Sequence, residues 1–424
     1  MEVDLAYGSD GLRVDVPEDK TTVLEPEYRA GAQSPAAILR EALRNPVSGP
    51  PLREMVHLGQ SVAISMCDVT RAQPRSLMIP AVLDELDGII EPEDIVVLVA
   101  TGTHRGNNQD ELREMLGEEL LQRVRVVNHD CRNAYSLVYM GEFGNGVPVW
   151  LNREWVGADV RITTGFVEPH FFAGFSGGPK LVAPGLAGLE TVLTLHDAAR
   201  IGSPDATWGI REGNPVHDDV RAIASGTGVD FAFDVILNRE QEIVSAFAGE
   251  MSPMHDAACE AAQEIAMIPV EERFDVVLTT NSGYPLDQNL YQAVKGMSAA
   301  EKIVREDGVI VCAAECRDGL PEGGEYARML DSASSIRELR RSIEGGDSTE
   351  PDQWQVQVQA RVQERARVLV YSDFLSDDDL KSAHLEKTKD VGRSVRDALE
   401  AAGPDARLCV LPEGPQTVPY VRSE

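Results

Sequence analysis

Residues 160–180 read VRITTGFVEPHFFAGFSGGPK. The run opens on five residues, 160–164, apolar enough for a buried strand. It turns polar and aromatic at Glu168-Pro169-His170, then runs through glycines to Lys180. A short apolar run that delivers chemically active side chains just past its end is the local pattern of an open α/β sheet. The pattern recurs along the chain. Asp68 and Arg71 follow the apolar run 62–66, His104 follows 95–100, and Asn281 follows 276–280. Further strands are expected at 124–128, 309–313, 368–371 and 409–411. Helical spacing of apolar residues is expected at 35–44, 79–86, 110–123, 217–224, 253–266, 288–305 and 355–367. Pro80 is placed in the first turn of its helix, where the missing N–H costs nothing.

The expected fold class is therefore α/β, with two α/β domains, mostly parallel sheets and an active site in the interdomain cleft. A boundary is expected near Ile268-Pro269, ahead of a fresh strand–helix–strand unit. Residues 1–268 form the expected N-terminal domain, completed by a returning tail at 405–424. Residues 269–404 form the C-terminal domain.

Composition narrows the function. The chain has 424 residues, 43% hydrophobic and 26% charged, with a net charge of −31. That charge argues against nucleic-acid binding, which needs a basic face. No run of eighteen apolar residues exists, so no membrane helix is expected. The first residues, Met1-Glu2-Val3-Asp4, lack a signal-peptide pattern, and a cytoplasmic location is expected. Seven lysines stand against 70 acidic residues. Such excess carboxylate suits a salt-rich cytoplasm, where repulsion is screened; a GC-rich genome that favours Arg over Lys gives the same look. The six cysteines are scattered and read as reduced, buried thiols.

The glycines before Lys180 invite a phosphate-loop reading, but Pro179 precedes the lysine and Leu181 follows it, where that motif needs Gly and then Ser or Thr. Gly177 and Gly178 still permit close backbone approach, either to a ligand or in tight packing. His170 sits among aromatics, where a structural role is the common one. His104 lies in a strand-end loop. His196 ends an expected helix, where an imidazole can serve as a cap. His129 has no second ligand motif nearby and is read as structural. Tyr291, Gln292 and Lys295 share one side of a helix start and can hold a carboxylate and a hydroxyl. Trp354 reads as a packing aromatic. No HExxH, GxSxG or kinase signature occurs.

Taken together, Asp68-Val69-Thr70-Arg71, Gly102-Thr103-His104-Arg105, Glu168-Pro169-His170, Ala173 to Lys180 with Pro184-Gly185, His196, Tyr291-Gln292, Lys295 and Asp352-Gln353-Trp354 resemble the nickel-dependent lactate racemase family. The resemblance spans nearly the whole chain and implies an isomerase that racemises a 2-hydroxy acid, most simply lactate, by proton-coupled hydride transfer. Racemases and epimerases of malate, aromatic hydroxy acids or sugar acids share the resemblance; a non-catalytic nucleotide-binding protein is the alternative outside it. The implied cofactor is a covalently attached nickel-pincer nucleotide, pyridinium-3,5-bisthiocarboxylic acid mononucleotide nickel, made by maturation proteins. The resemblance assigns His104 and His170 to acid/base catalysis and His196 to nickel. It gives Lys180 the covalent anchor, with Asp68, Gly177 and Gly178 also on the cofactor. Arg71, Tyr291, Gln292, Lys295 and Trp354 fall to the substrate.

Overall fold

The computed structural model describes residues 1–321 and 324–422. The chain divides into two compact units. One comprises Tyr28–His196 and Asp205–Ile265; the other comprises Met1–Glu27, Asp197–Pro204 and Ala266–Glu424.

The first unit is built on a six-stranded sheet in the order Ile243–Gly249, Phe231–Leu237, Val160–Phe166, Val62–Cys67, Ile95–Ala100, Arg125–Asn128. All pairings are parallel except that of the edge strand Ile243–Gly249. Every side chain of Val62–Cys67 is buried. A strand covered on both faces reads as an unbroken apolar run, which is why this one is legible. Ile64, Met66, Val97 and Val99 meet Met78, Val82 and Leu83 of the helix Arg75–Leu86 in the core. Because the strands run in parallel, the loops bearing Asp68, His104 and His170 all leave one edge of the sheet.

Several helices differ from expectation; those expected over 288–305 and 355–367 end at Glu301 and Arg365, and their last residues belong to the strands Val304–Ala313 and Ala366–Tyr371. The helix expected over 110–123 is two, Gln109–Leu116 and Glu118–Arg123, broken at Gly117 with φ 79°. Glycine adopts that conformation without strain, so the chain changes direction there. Arg75–Leu86 starts earlier than expected, which puts Pro80 inside the helix and leaves the carbonyl four residues back without its usual donor.

The second unit has a fully parallel sheet in the order Glu386–Lys387, Ala366–Tyr371, Val304–Ala313, Phe274–Thr280, Leu408–Leu411, Thr21–Val23. The tail expected to complete the N-terminal domain stays here. Leu408–Leu411 is buried throughout and lies between Phe274–Thr280 and Thr21–Val23. A strand with no exposed face needs a neighbour on each edge, and the chain's own start supplies the second one. Among the described residues no helix is long and apolar enough to cross a membrane.

Candidate active site

In the first unit, Asp68 begins the loop after Val62–Cys67 and is buried. Its Oδ1 accepts from Thr70 N at 3.0 Å and Thr70 Oγ1 at 2.6 Å, and its Oδ2 stands 2.6 Å from His104 Nδ1. Burial pushes this carboxyl up, but the bonds from His104 and Thr70 outweigh it and hold the group below its ordinary range. Arg71 adds a smaller attraction to this carboxylate; it is exposed, with Nη1 3.2 Å from Thr70 Oγ1. The loop is framed from below by Arg75, a buried guanidinium that donates to the carbonyls of Cys67, Asp68, Arg71 and Gln73.

His104 is therefore held in one tautomer. With Nδ1–H donated to Asp68, the lone pair sits at Nε2. Its loop is tied to the glycine segment: Gly102 N donates to Gly185 O at 3.0 Å, and Gly185 N to Lys180 O at 3.1 Å. Gly185 must be glycine, since a Cβ there would stand 2.9 Å from Ala100 Cβ and 2.9 Å from Lys180 O.

His170 is built differently. It lies in a two-residue strand, Pro169–His170, folded back on Gly174–Phe175. Its Nδ1 accepts from Ala173 N at 3.2 Å, and its ring stacks on Phe171 at 4.9 Å. Phe172 was not singled out in the sequence, yet it gathers the site. Its ring lies 4.5 Å from His170, 5.3 Å from His196 and 5.7 Å from Lys180 Nζ. The one available signal was its place two residues after His170. His196 ends the helix Leu189–Leu195 and gives Nδ1–H to Val192 O at 2.7 Å, which leaves its lone pair at Nε2. Among the described residues no group of three or more His, Cys, Asp or Glu is arranged to hold a metal.

Lys180 rides on a short turn, Gly178–Leu181. Gly177 and Gly178 are packed against protein, in line with the tight-packing reading. A Cβ on Gly177 would stand 2.7 Å from Asp234 Oδ2, and one on Gly178 2.5 Å from His255 Cδ2. The Gly178 amide already donates to Asp234 Oδ2 at 2.6 Å, so it is not a spare donor for a phosphate. Beneath the loop, His217 Nδ1 is 3.1 Å from Ala173 O and His255 Nε2 2.8 Å from Ser176 O. Burial pulls these histidines down to about 4 and about 3, and pushes Asp234 up to about 7. Nothing local in the sequence marked these three. His129 is structural as expected, with Nε2 2.9 Å from Ala187 O and Nδ1 3.2 Å from Asn152 Nδ2.

In the second unit, Tyr291, Gln292 and Lys295 stand on the first turns of Leu290–Glu301, capped by Asn289 through Gln292 N at 3.0 Å. Gly296 lets that helix close on the sheet, since a Cβ there would stand 1.9 Å from Thr280 O. Asn281 fixes the approach by accepting from Gly296 N at 3.0 Å, a structural task. Trp354 is buried, as a packing aromatic would be, but its Nε1 also donates to Tyr291 Oη at 3.1 Å. The structure thus joins Tyr291 to Trp354 across 63 residues of sequence.

Two mostly parallel sheets, strand-end loops and a histidine pair on one sheet edge define an α/β enzyme. Comparison with known proteins then fixes the group. Residues 7–209 match the lactate racemase N-terminal domain and residues 270–418 the lactate racemase C-terminal domain. The chain is 34% identical to the lactate racemase of Thermoanaerobacterium thermosaccharolyticum over 97% of both chains, and 33% identical to that of Lactiplantibacillus plantarum over 95% of this chain and 98% of the other. The apoprotein structure of the Thermoanaerobacterium enzyme superposes with a TM-score of 0.92 at 32% identity, covering 99% of this chain and 100% of that one. A Thermotoga maritima protein shares the fold, with a TM-score of 0.68 at 18% identity over 93% of this chain and 100% of that one. The chain belongs to the lactate racemase family and is an isomerase.

Proposed function

We propose that this chain interconverts the enantiomers of a 2-hydroxy acid, lactate before others, with a nickel-pincer nucleotide joined to Lys180. Lactate is adopted from the names of the two relatives. A cytoplasmic location and dependence on cofactor-maturation proteins belong to the same proposal.

The fit of the cofactor rests on donor chemistry. A nickel ion that brings sulfur and carbon donors with it needs one further ligand. His196 offers a buried imidazole with its lone pair fixed at Nε2. Soft sulfur donors with one imidazole would suit nickel(II). The contact set that carries most weight is the Phe172 ring, which touches His170, His196 and Lys180 together.

When bound, the cofactor supplies a hydride acceptor for the substrate's C2 hydrogen. The proton chemistry belongs to the chain. His104 takes the hydroxyl proton at Nε2, and the Asp68 carboxylate 2.6 Å from Nδ1 stabilises the imidazolium that forms. A 2-oxo acid results; once it presents its other face, its C2 takes the same hydride back while His170 supplies the hydroxyl proton. His170 carries protons on both nitrogens when charged, so its Nδ1 must release the Ala173 amide each time. Arg71 and Lys295 neutralise the carboxylate, and Tyr291 and Gln292 orient it, with Trp354 steadying the Tyr291 hydroxyl.

The test is direct. Protein produced with nickel and the maturation proteins is given one lactate enantiomer, and chiral chromatography follows the other. Approach to an equal mixture is expected. Loaded protein that leaves lactate untouched but turns over another 2-hydroxy acid would reject lactate as substrate.

A further inference from the structure

The loop that carries Lys180 is gripped from behind by three buried side chains, none with a role in the chemistry above. His217 holds Ala173 O, His255 holds Ser176 O, and Asp234 accepts from Gly178 N. The last grip differs in kind. The histidines donate to carbonyls, whereas Asp234 accepts from the first amide of the turn Gly178–Leu181. Such leading amides have no partner within their own turn. The N-cap position is Gly177, which has no side chain to serve them. Asp234 therefore does from a neighbouring strand what an N-cap residue ordinarily does in sequence.

Its position is tightly referenced. Phe231–Leu237 pairs in parallel with Val160–Phe166, with Asp234 opposite Gly165, and Val160–Phe166 is the strand that leads into the loop. The far end of the turn is pinned as well, since Ser65 Oγ donates to Leu181 O at 2.8 Å. The space around the carboxyl is closed: a Cβ on Gly165 would stand 2.9 Å from Asp234 Oδ1, and one on Gly177 2.7 Å from Oδ2. Oδ1 is buried and has no hydrogen-bond partner among the described residues. An apolar side chain would be buried at lower cost, so the value of a carboxyl here lies in the acceptor it gives Gly178.

We infer that Asp234 is a positioning residue for Lys180: it caps the Gly178–Leu181 turn and so fixes where Nζ stands beside the Phe172 ring. The inference rests on the proposed role of Lys180 as cofactor anchor. Asp234 touches neither substrate nor cofactor.

The experiment compares wild type, Asp234→Ala, Asp234→Ser and Asp234→Asn as full chains, with two readouts. Without cofactor, reductive methylation by formaldehyde and cyanoborohydride gives the labelling rate of Lys180 relative to exposed Lys381, by peptide mass spectrometry. After production with nickel and the maturation proteins, intact mass gives the Lys180 adduct. Asp234→Ala is expected to raise the labelling ratio and cut the adduct, each about tenfold, as a loosened reactive group does. Asp234→Asn keeps an acceptor of the same shape and is expected to restore both readouts to near wild type. Asp234→Ser, too short to reach Gly178, is expected to behave like Asp234→Ala and serves if that variant does not fold. A folded Ala or Ser variant with wild-type labelling and adduct overturns the inference, as does an Asn variant as impaired as they are. Equal adduct in wild type and Asp234→Ala rejects Asp234 and leaves the anchor standing. Wild type without any adduct rejects the anchor, while the labelling ratio still decides Asp234.

Discussion

His104 and His170 are the same residue type on the same edge of one sheet, yet the chain builds them in opposite ways. His104 leans on a buried carboxylate and gives it the Nδ1 proton. His170 leans on a backbone amide and on two phenylalanine rings, and its Nδ1 is an acceptor. One ring keeps its partner through a proton's arrival at Nε2; the other must give up a contact to carry a proton at Nδ1. A racemase needs an acid/base group for each face of the α-carbon, but nothing requires the two to be energetically equal. The equilibrium constant between enantiomers is unity, so kcat/KM must be equal in the two directions. The inequality is therefore expected in kcat and KM taken separately, higher or lower together for one enantiomer.

The strongest way to break this comparison is to remove each partner. His104→Ala and His170→Ala are each expected to lower net racemisation on the order of a hundredfold or more. The double variant should fall little further, because one cycle uses both groups. Substantial racemisation by either single variant would remove that histidine from the cycle.

A smaller loss separates the two supports. Asp68→Asn leaves His104 in place but takes away the carboxylate that stabilises its imidazolium, with an expected cost of about ten- to a hundredfold. The loss should fall on kcat more than on KM, since the substrate's binding groups are untouched. An unchanged kcat would mean that Asp68 serves the loop and not the imidazole.

The groups beneath the loop give a third test, in stability. His217 and His255 have folded pKa values lowered to about 4 and about 3, so their contribution is complete above the ordinary histidine range and is lost as pH falls through it toward those values. Asp234, raised to about 7, works the other way: its contribution is complete in acid and is lost as pH rises through about 7. Near pH 5 the two histidines outweigh the one carboxyl by about one proton, or roughly 1.4 kcal/mol per pH unit. Urea unfolding should find stability rising more steeply with pH there in Asp234→Asn than in wild type, by about one proton or roughly 1.4 kcal/mol per pH unit. Identical slopes in the two proteins would mean that Asp234 does not titrate in this range.

The smallest effect is expected in the other unit. Trp354→Phe removes the bond to the Tyr291 hydroxyl and leaves the ring packing, so KM should rise by about three- to tenfold, as for one lost hydrogen bond, with kcat nearly unchanged. A large fall in kcat would give Trp354 a part in the chemistry itself.

Much of the fold was legible because its strands are apolar runs covered on both faces. Val62–Cys67, Ile95–Ala100 and Val160–Phe166 announce themselves within six or seven residues. Phe231–Leu237 is covered almost throughout but has its apolar run broken by Asp234, and other strands outside the expectation have weaker patterns. Thr21–Val23 has three residues, and the hairpin Leu137–Phe143 with Val147–Asn152 is partly exposed. The position of the tail could not be read at all, since an apolar tetrapeptide carries no address for the edge it will pair with.

The sequence by itself determined which residue types stand at the strand ends, where the helices are capped, and to which family the motifs belong. These are local properties, set by neighbours a few positions away. Only the tertiary structure decided which side chains meet. Asp68 and His104 are 36 residues apart, Ser65 and Leu181 116, and Asp234 and Gly178 56. Such meetings depend on strand order and register and on the closeness that single glycines allow, and packing at long range fixes those quantities. A motif can nominate His104 as a base, but only the carboxylate delivered by the adjacent strand decides which of its nitrogens carries the proton.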